Sequence, residues 1–354
     1  MPELGRKPRI AVLATGTPSG EVGGAERFYV GLRDALIAAG ADASIQWETS
    51  DESGFEQILA SYLRFYDRDL SHYDGVISTK APGYLIRHRN HVCYLLHTMR
   101  VFYDMFEVEF RNASHELHEQ RRLIQRLDTL ALQPPRTRRL FVIGEEVALR
   151  LQQFNGLSAE VLHSGTSING FYCREALHLF LPGRLHRWKR VDLAIEAMRY
   201  IEEPITLVIS GTGEDEPRFR ALGAADPRIR FVGRLSDEAL IDTYADSLAV
   251  LFVPLREDFG LVTQEAFLSG KPVVTCTDSG EPARFVRDGV NGCVVDPNPK
   301  PLAEAVASLV RNPARAKAMG EQGRLEVDKA QWDLVSARLL EGLGFGSLKG
   351  GDSR

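Results

Sequence analysis

Short apolar runs alternate with amphipathic stretches along the whole chain, and their order predicts an α/β protein. Ile10 to Ala14 reads as a first buried strand. A Gly/Ser/Pro loop follows and ends in Gly23-Gly24-Ala25-Glu26-Arg27, after which Ala25, Phe28, Tyr29, Leu32 and Leu36 repeat at helical spacing up to a stop at Gly40. Ala43 to Trp47 is a strand, Phe55 to Phe65 a helix, and Asp74 to Lys80 a strand that leads into a loop at Ala81 and Pro82. Val92 to Leu96 is a further buried strand, with His97 at its carboxyl end. Leu140 to Gly144, Glu145 to Leu151 and Ala159 to Gly165 make a last strand, helix and strand before a hinge near Phe171 and Tyr172.

The pattern then restarts. Phe180 to Arg184 is a short strand, followed by a cation-rich turn and a helix that buries Val191, Leu193, Ala194, Ala197, Met198 and Ile201. Ile205 to Ser210 and Ile229 to Leu235 are strands. The apolar run Leu248 to Val253 ends in Pro254, and a helical segment begins after Phe259 and Gly260. Pro301 to Val310 is a helix, and Glu326 to Leu343 a final one containing Trp332. Two successive βα-alternating halves predict two Rossmann-like domains.

The chemistry is concentrated after Val253. A buried strand delivers Glu257 to its carboxyl end, the side on which open α/β sheets bind ligands. The next helix presents its first free amides at Leu261 and Val262, donors suited to a phosphate. Glu257 and Glu265 stand beside that anion site. As carboxylates they accept hydrogen bonds from the hydroxyls of a sugar or a ribose. The stretch therefore reads as a site for a phosphorylated, hydroxyl-rich ligand. Gly211-Thr212-Gly213-Glu214-Asp215-Glu216 imitates a dinucleotide fingerprint, but Glu216 takes the place of its third glycine, which argues against NAD.

Composition narrows the classes. With 354 residues the chain suits two domains of about 150 each. A net charge of -5 argues against a nucleic-acid binder. Cys93, Cys173, Cys276 and Cys293 are scattered, as for reduced thiols rather than a disulfide frame or a zinc site. No signal peptide and no apolar run of about 18 residues is visible, so a soluble cytoplasmic protein is expected. Arg121, Arg122, Arg126, Arg136, Arg138 and Arg139 crowd the region of Asp128. They suit a solvated face. The alternative is a surface for an anionic acceptor or for the anionic inner leaflet, which would place the protein peripherally on the inner membrane face.

Several of these stretches resemble family 4 of the retaining nucleotide-sugar glycosyltransferases. Glu257-Asp258-Phe259-Gly260-Leu261…Glu265 is similar to its E-x7-E element, and Ser269-Gly270-Lys271-Pro272-Val273-Val274 to the strand entry that follows. Gly183-Arg184-Leu185…Lys189…Asp192 resembles its G-R-L-x-x-x-K-x-x-D element. The Gly23-Gly24 loop and the stretch from His97 through Arg100 to Asp104 have counterparts too. The likeness is strong from Pro182 to Pro297 and looser before Phe171. It departs at Met99, where a proline is usual, and at Glu281 and Arg284 in the loop after Asp278.

The resemblance implies a GT-B fold, with two Rossmann-like domains facing a cleft and a C-terminal helix crossing back to the N-domain. The expected divisions are residues 1–172 for the acceptor domain, 173–330 for the donor domain, 331–345 for the returning helix and 346–354 for a loose tail. It implies a hexose moved from a nucleoside-diphosphate sugar, GDP-mannose or a UDP-sugar, to a glycan or glycolipid hydroxyl in polysaccharide or cell-surface glycan biosynthesis, with no cofactor or metal. Arg184 and Lys189 would hold the diphosphate, helped by the amides of Leu261 and Val262. Glu257 and the backbone at Phe259 and Gly260 would grip the sugar, and Glu265 the ribose. Gly211, Gly213 and Leu235 would lie at the nucleotide, with His97, Gly23 and Gly24 toward the sugar and acceptor. The competing readings are a nucleotide-sugar epimerase or hydrolase of the same fold and a non-catalytic nucleotide-sugar-binding partner subunit. Turnover of donor alone would favour the former.

Overall fold

A computed structural model describes residues 6–16, 24–175, 178–327 and 331–346. The chain divides into two compact units, residues 1–167 with 329–354, and residues 168–328. Phe171, at the expected hinge, belongs to the second unit, where its ring packs edge-on against Tyr244 at 5.9 Å.

Unit 1 contains β1 (Arg9–Gly16), α1 (Gly24–Ala38), β2 (Asp42–Thr49), α2 (Phe55–Asp67), β3 (Gly75–Lys80), β4 (His91–His97), α3 (Phe106–Glu109), α4 (His115–Leu132), β5 (Leu140–Val142), α5 (Glu145–Asn155) and β6 (Glu160–Val161). Its strands form one parallel sheet in the order β2-β1-β3-β4-β5-β6. Helices cover both faces of such a sheet, so its strands read as continuous apolar runs. Ile10 to Ala14 and Val92 to Leu96 are accordingly buried along their whole length. Ala11, Leu13, Val76, Phe65, Leu70 and Ile86 make one cluster on the face toward α2.

Unit 2 contains β7 (His178–Pro182), α6 (Val191–Met198), β8 (Thr206–Ser210), α7 (Glu216–Gly223), β9 (Ile229–Gly233), α8 (Asp237–Ala245), β10 (Ser247–Leu251), α9 (Leu261–Leu268), β11 (Val273–Cys276), α10 (Glu281–Phe285), β12 (Gly292–Val295), α11 (Pro299–Arg311) and α12 (Pro313–Glu326). Its parallel sheet runs β12-β11-β10-β7-β8-β9. Leu179 and Leu181 of β7 join the core on one face, whereas Phe180 between them joins Tyr244 and Phe252 on the other. That is the two-residue period of a strand buried on both sides.

The chain ends in unit 1 with α13 (Gln331–Gly342). Trp332 packs against Phe28 of α1 at 5.5 Å, and its Nε1 donates to the Thr166 carbonyl at 3.2 Å. Arg338 pairs with Glu160 at 2.7 Å. The expected helix from Glu326 to Leu343 is therefore two helices. Glu326 closes α12, and the last helix starts at Gln331.

Helix α4 is the main element that the apolar pattern did not predict. Its outer face is charged, but Ser114 caps it by accepting from the Leu117 amide at 3.2 Å, and Ile124, Asp128, Ala131 and Leu132 face inward. Asp128 is fully buried and accepts hydrogen bonds from Tyr62 at 2.8 Å and Tyr103 at 2.7 Å. Burial pushes its carboxyl up to about 6, against the lowering effect of these tyrosine hydroxyls.

Most of the basic stretch is tied into the fold. Arg121 lies over the Phe106 ring at 4.2 Å and donates to the Phe102 and Tyr103 carbonyls at 3.3 Å. Arg122 pairs with Glu119, Arg136 donates to the Leu85 carbonyl at 2.8 Å, and Arg138 to Asn90 at 2.9 Å. Glu116 and Glu119 on α4 offset part of the positive charge. Arg126 lines a surface groove with Phe55, Glu116 and Leu123, and Arg139 is exposed.

Candidate active site

In unit 2 the strand order reverses between β7 and β10. Loops leaving neighbouring strands there run in opposite directions and open a crevice, the usual ligand position of a doubly wound sheet. The loop after β7 carries Arg184 and, on a short 3-10 turn from Arg187 to Lys189, the Lys189 ammonium. The loop after β10 carries Glu257. The two side chains meet at 2.6 Å between Lys189 Nζ and Glu257 Oε2, and both are only partly exposed. Lys189 also lies over the Phe252 ring at 5.6 Å.

Two arginines build this contact. Arg190 has φ 50° and Arg256 φ 49°, left-handed conformations that cost a side-chain-bearing residue about 1–2 kcal/mol each. Arg190 ends the Lys189 turn, donates to the Val253 and Pro254 carbonyls at 2.7 and 2.8 Å, and grips Asp278 with two bonds of 2.8 and 2.6 Å. The Arg256 amide donates to the Asp278 carbonyl at 2.9 Å, and the Leu255 amide to that of Trp188 at 2.7 Å. One guanidinium thus ties the exits of β7, β10 and β11 together. It acts on Lys189 and Glu257 by positioning them.

Gly260, with φ 80° and ψ 66°, opens α9. A Cβ there would stand 2.7 Å from Phe252 and 2.8 Å from Pro282, so the close turn admits glycine alone. With no capping side chain, the amides of Leu261 and Val262 are the open donors of the helix, while the Thr263 amide turns back to the Gly260 carbonyl at 2.9 Å. Phe259 is buried edge-on to Phe285 at 5.6 Å. Glu265, one turn into α9, is buried and accepts from the Tyr244 hydroxyl at 2.8 Å. The loop after β11 is held to Glu257 through its backbone, since the Glu257 amide donates to Ser279 at 2.8 Å and its carbonyl accepts from Glu281 at 2.9 Å.

The remaining predicted residues fall out unevenly. Arg184 is exposed and drawn to Glu214 at 3.2 Å, away from the Lys189–Glu257 contact. Gly211 and Gly213 are needed by the protein itself: a Cβ at Gly211 would meet the Gly183 carbonyl at 1.9 Å, and one at Gly213 the Leu185 carbonyl at 2.4 Å. Leu235 follows β9, its side chain half-buried against the cluster of Phe180 and Tyr244. In unit 1, His97 ends β4 with its Nδ1 at 2.9 Å from the Thr98 carbonyl. The Arg100–Asp104 contact forms at 2.7 Å, and Arg150 joins it from α5 at 2.7 Å. Gly24 starts α1, and Gly23 lies outside the described residues. Among the described residues no cluster of three or more His, Cys, Asp or Glu could hold a metal ion. Arg190, Asp278 and Tyr244 escaped the sequence reading, because an arginine at positive φ and contacts across three loops leave no local pattern.

Comparison with known proteins bears on this geometry. The profile of the family described as glycosyl transferases group 1 matches residues 174–326, nearly the whole of unit 2. Unit 2 belongs to that family. The phosphatidyl-myo-inositol mannosyltransferase of Mycobacterium leprae is 27% identical over 192 residues, covering 52% of this chain and 51% of that protein. The chain spans about half the length of the curated relatives it matches. Among solved structures, sucrose-phosphate synthase from Thermosynechococcus elongatus superimposes with a TM-score of 0.75 at 17% identity, over 96% of this chain and 99% of that one. Anabaena HepE, in complex with UDP-glucose, gives 0.70 at 15% identity over 94% and 99%. The fold of the chain is thus GT-B, two α/β domains each with a parallel six-stranded sheet. No helix among the described residues is long and apolar enough to cross a membrane.

Proposed function

We propose that this chain is a retaining glycosyltransferase that moves a hexose from a nucleoside-diphosphate sugar to a hydroxyl of a glycan or glycolipid. The observation that carries the reading is the Lys189–Glu257 contact at the strand-order reversal of unit 2, beside the open amides of α9. In this reading the incoming diphosphate takes Lys189 from Glu257, with Arg184 swinging from Glu214 to join it. The amides of Leu261 and Val262 donate to phosphate oxygens. Glu257, freed of its cation, accepts from the sugar hydroxyls, which the backbone at Phe259 and Gly260 also lines. Glu265, held by Tyr244, accepts from the ribose, while Gly211, Gly213 and Leu235 border the nucleotide. His97, Gly23 and Gly24 serve the acceptor side.

The bond from the anomeric carbon to the phosphate oxygen breaks, and a bond from that carbon to the acceptor oxygen forms on the same face. The acceptor's proton passes to the departing phosphate oxygen. The growing negative charge on that phosphate is what Lys189, Arg184 and the α9 amides stabilise. The name of the mycobacterial relative favours a mannose donor, GDP-mannose in this proposal, and the ligand of HepE a UDP-hexose. A role in polysaccharide or cell-surface glycan assembly, a cytoplasmic location and a peripheral membrane contact through Arg126 and its neighbours belong to the same proposal.

The test is release of nucleoside diphosphate from GDP-, UDP-, ADP- and dTDP-sugars in EDTA, with glycan and glycolipid acceptors added. One base should be turned over, acceptor-dependently and without metal, and Lys189→Ala should lose about a hundredfold or more in rate. Release that is independent of any acceptor points to a hydrolase. Activity only with added metal, or unchanged in Lys189→Ala, contradicts the proposal.

A further inference from the structure

Cys173 stands a few residues before β7 and is the exposed one of the four cysteines, whereas Cys93, Cys276 and Cys293 are buried. Burial pushes the Cys93 and Cys276 thiols up to about 12 and raises that of Cys293, the setting of inert cysteines. Cys173 has a different neighbour. Lys271 is buried in the tight turn between α9 and β11. The Arg174 carbonyl holds the two side chains together, since it accepts from Lys271 Nζ at 3.0 Å and from the Cys173 thiol at 3.6 Å. The sulfur in turn accepts from the Lys271 ammonium.

The fold fixes this pair from both sides. The Lys271 amide donates to the Ala266 carbonyl at 2.9 Å, and Gly270 before it has φ 65°. A Cβ on Gly270 would stand 3.8 Å from Cys173 Sγ, so the sulfur rests on the turn that carries the lysine. Arg174 is engaged elsewhere, with Asp246 at 2.8 Å and Asp242 at 3.3 Å, and Tyr172 is bonded to Asp242. His178 lies 3.1 Å from the Thr243 carbonyl. Lys271 is therefore the cation at the sulfur, with Asp246 acting on it through charge. A buried ammonium is costly unless its charge is paired, and a carbonyl and a neutral thiol do not pair it. A thiolate does. Burial pulls Lys271 down toward the ordinary thiol range, against the raising effect of Cys173 and Asp246, so that a proton passes readily between nitrogen and sulfur.

We propose that Cys173 is a peroxide-reactive thiol with Lys271 as its proton acceptor and donor, a modification site at the end of α9 opposite to Leu261 and Val262. The thiol proton passes to Lys271 Nζ, and the thiolate sulfur attacks one oxygen of a hydroperoxide. The O–O bond breaks and an S–O bond forms. With hydrogen peroxide, the departing hydroxide takes the proton back from Nζ and leaves as water. Sulfur loses two electrons to become the sulfenic acid, and the peroxide gains them.

The test treats the full chain with hydrogen peroxide, traps sulfenic acid with dimedone and maps the labelled peptides by mass spectrometry. Label should fall on Cys173 ahead of Cys93, Cys276 and Cys293, at about ten times the rate of free glutathione at pH 7. Lys271→Gln keeps a donor for the Arg174 carbonyl but cannot take up a proton, and should slow labelling about tenfold at pH 7. The deficit should close by about pH 10, where a thiol ionises unaided, a dependence that a merely structural lysine would not produce. Cys173→Ser should abolish the label. Label that falls first on another cysteine, or a wild-type rate no faster than that of glutathione, would overturn the proposal. So would a Lys271→Gln protein that reacts at the wild-type rate or stays slow at high pH. If that variant does not fold, the wild-type comparison with glutathione decides alone.

Discussion

Asp128 and His91, both fully buried in unit 1, respond to acid in opposite directions. Burial raises Asp128 to about 6, so as pH falls the folded chain takes up this proton before the unfolded one does. Its charge at neutral pH costs roughly 3 kcal/mol, recovered between about pH 6 and pH 4. Burial lowers His91 to about 4, against a weaker upward push from its hydrogen bond to the Arg136 carbonyl. Here the unfolded chain takes the proton first, and roughly 3 kcal/mol is lost between about pH 6.5 and pH 4. The two effects nearly cancel in the native protein. Asp128→Asn removes one of them. Urea unfolding should show the variant losing about 3 kcal/mol relative to wild type as pH falls from 6.5 to 4, and a constant difference would refute this account of the buried carboxylate.

At the scale of elements, the placement of Glu257 and Glu265 depends on how α9 begins. Gly260→Ala puts a Cβ into Phe252 and Pro282 at a positive φ, and the first turn of α9 has to move. The variant should melt several degrees lower and bind nucleotide at least tenfold more weakly, both measurable by thermal shift. Binding at wild-type strength would mean that the α9 amides are not donors to the ligand. Much of this element was legible in the sequence, because an apolar strand, a proline and a Phe-Gly turn put Glu257 at a strand end by local rules alone. Arg190 was not legible. Its importance comes from carbonyls more than sixty residues away, brought to it by the β7–β10 adjacency. Helix α4 was hidden for a different reason: its inner face includes Asp128, an acid where the apolar period expects a hydrophobe, and its arginines read as surface.

At the scale of the molecule, the last helix completes the first unit. Trp332 lies so close to Gly31 and Gly165 that a Cβ at either would stand 2.7 Å from its ring. This explains both glycines by contacts far apart in the chain. Trp332→Ala removes the ring and the bond to Thr166, and should destabilise unit 1 by about 2 kcal/mol or more while nucleotide affinity in unit 2 holds. A loss of nucleotide binding in that variant would contradict the division of labour proposed here. The central claim is that unit 2 binds a nucleoside-diphosphate sugar through Lys189, Glu257 and α9. The most direct measurement is calorimetric titration of wild type, Lys189→Ala and Glu265→Gln with GDP-mannose, UDP-glucose and the free diphosphates, in EDTA. The account predicts saturable binding of one nucleotide family, weakened at least tenfold by Lys189→Ala for sugar and free diphosphate alike, and by Glu265→Gln as well. Well-folded protein that binds none of them, or binds them equally in all three forms, would contradict it.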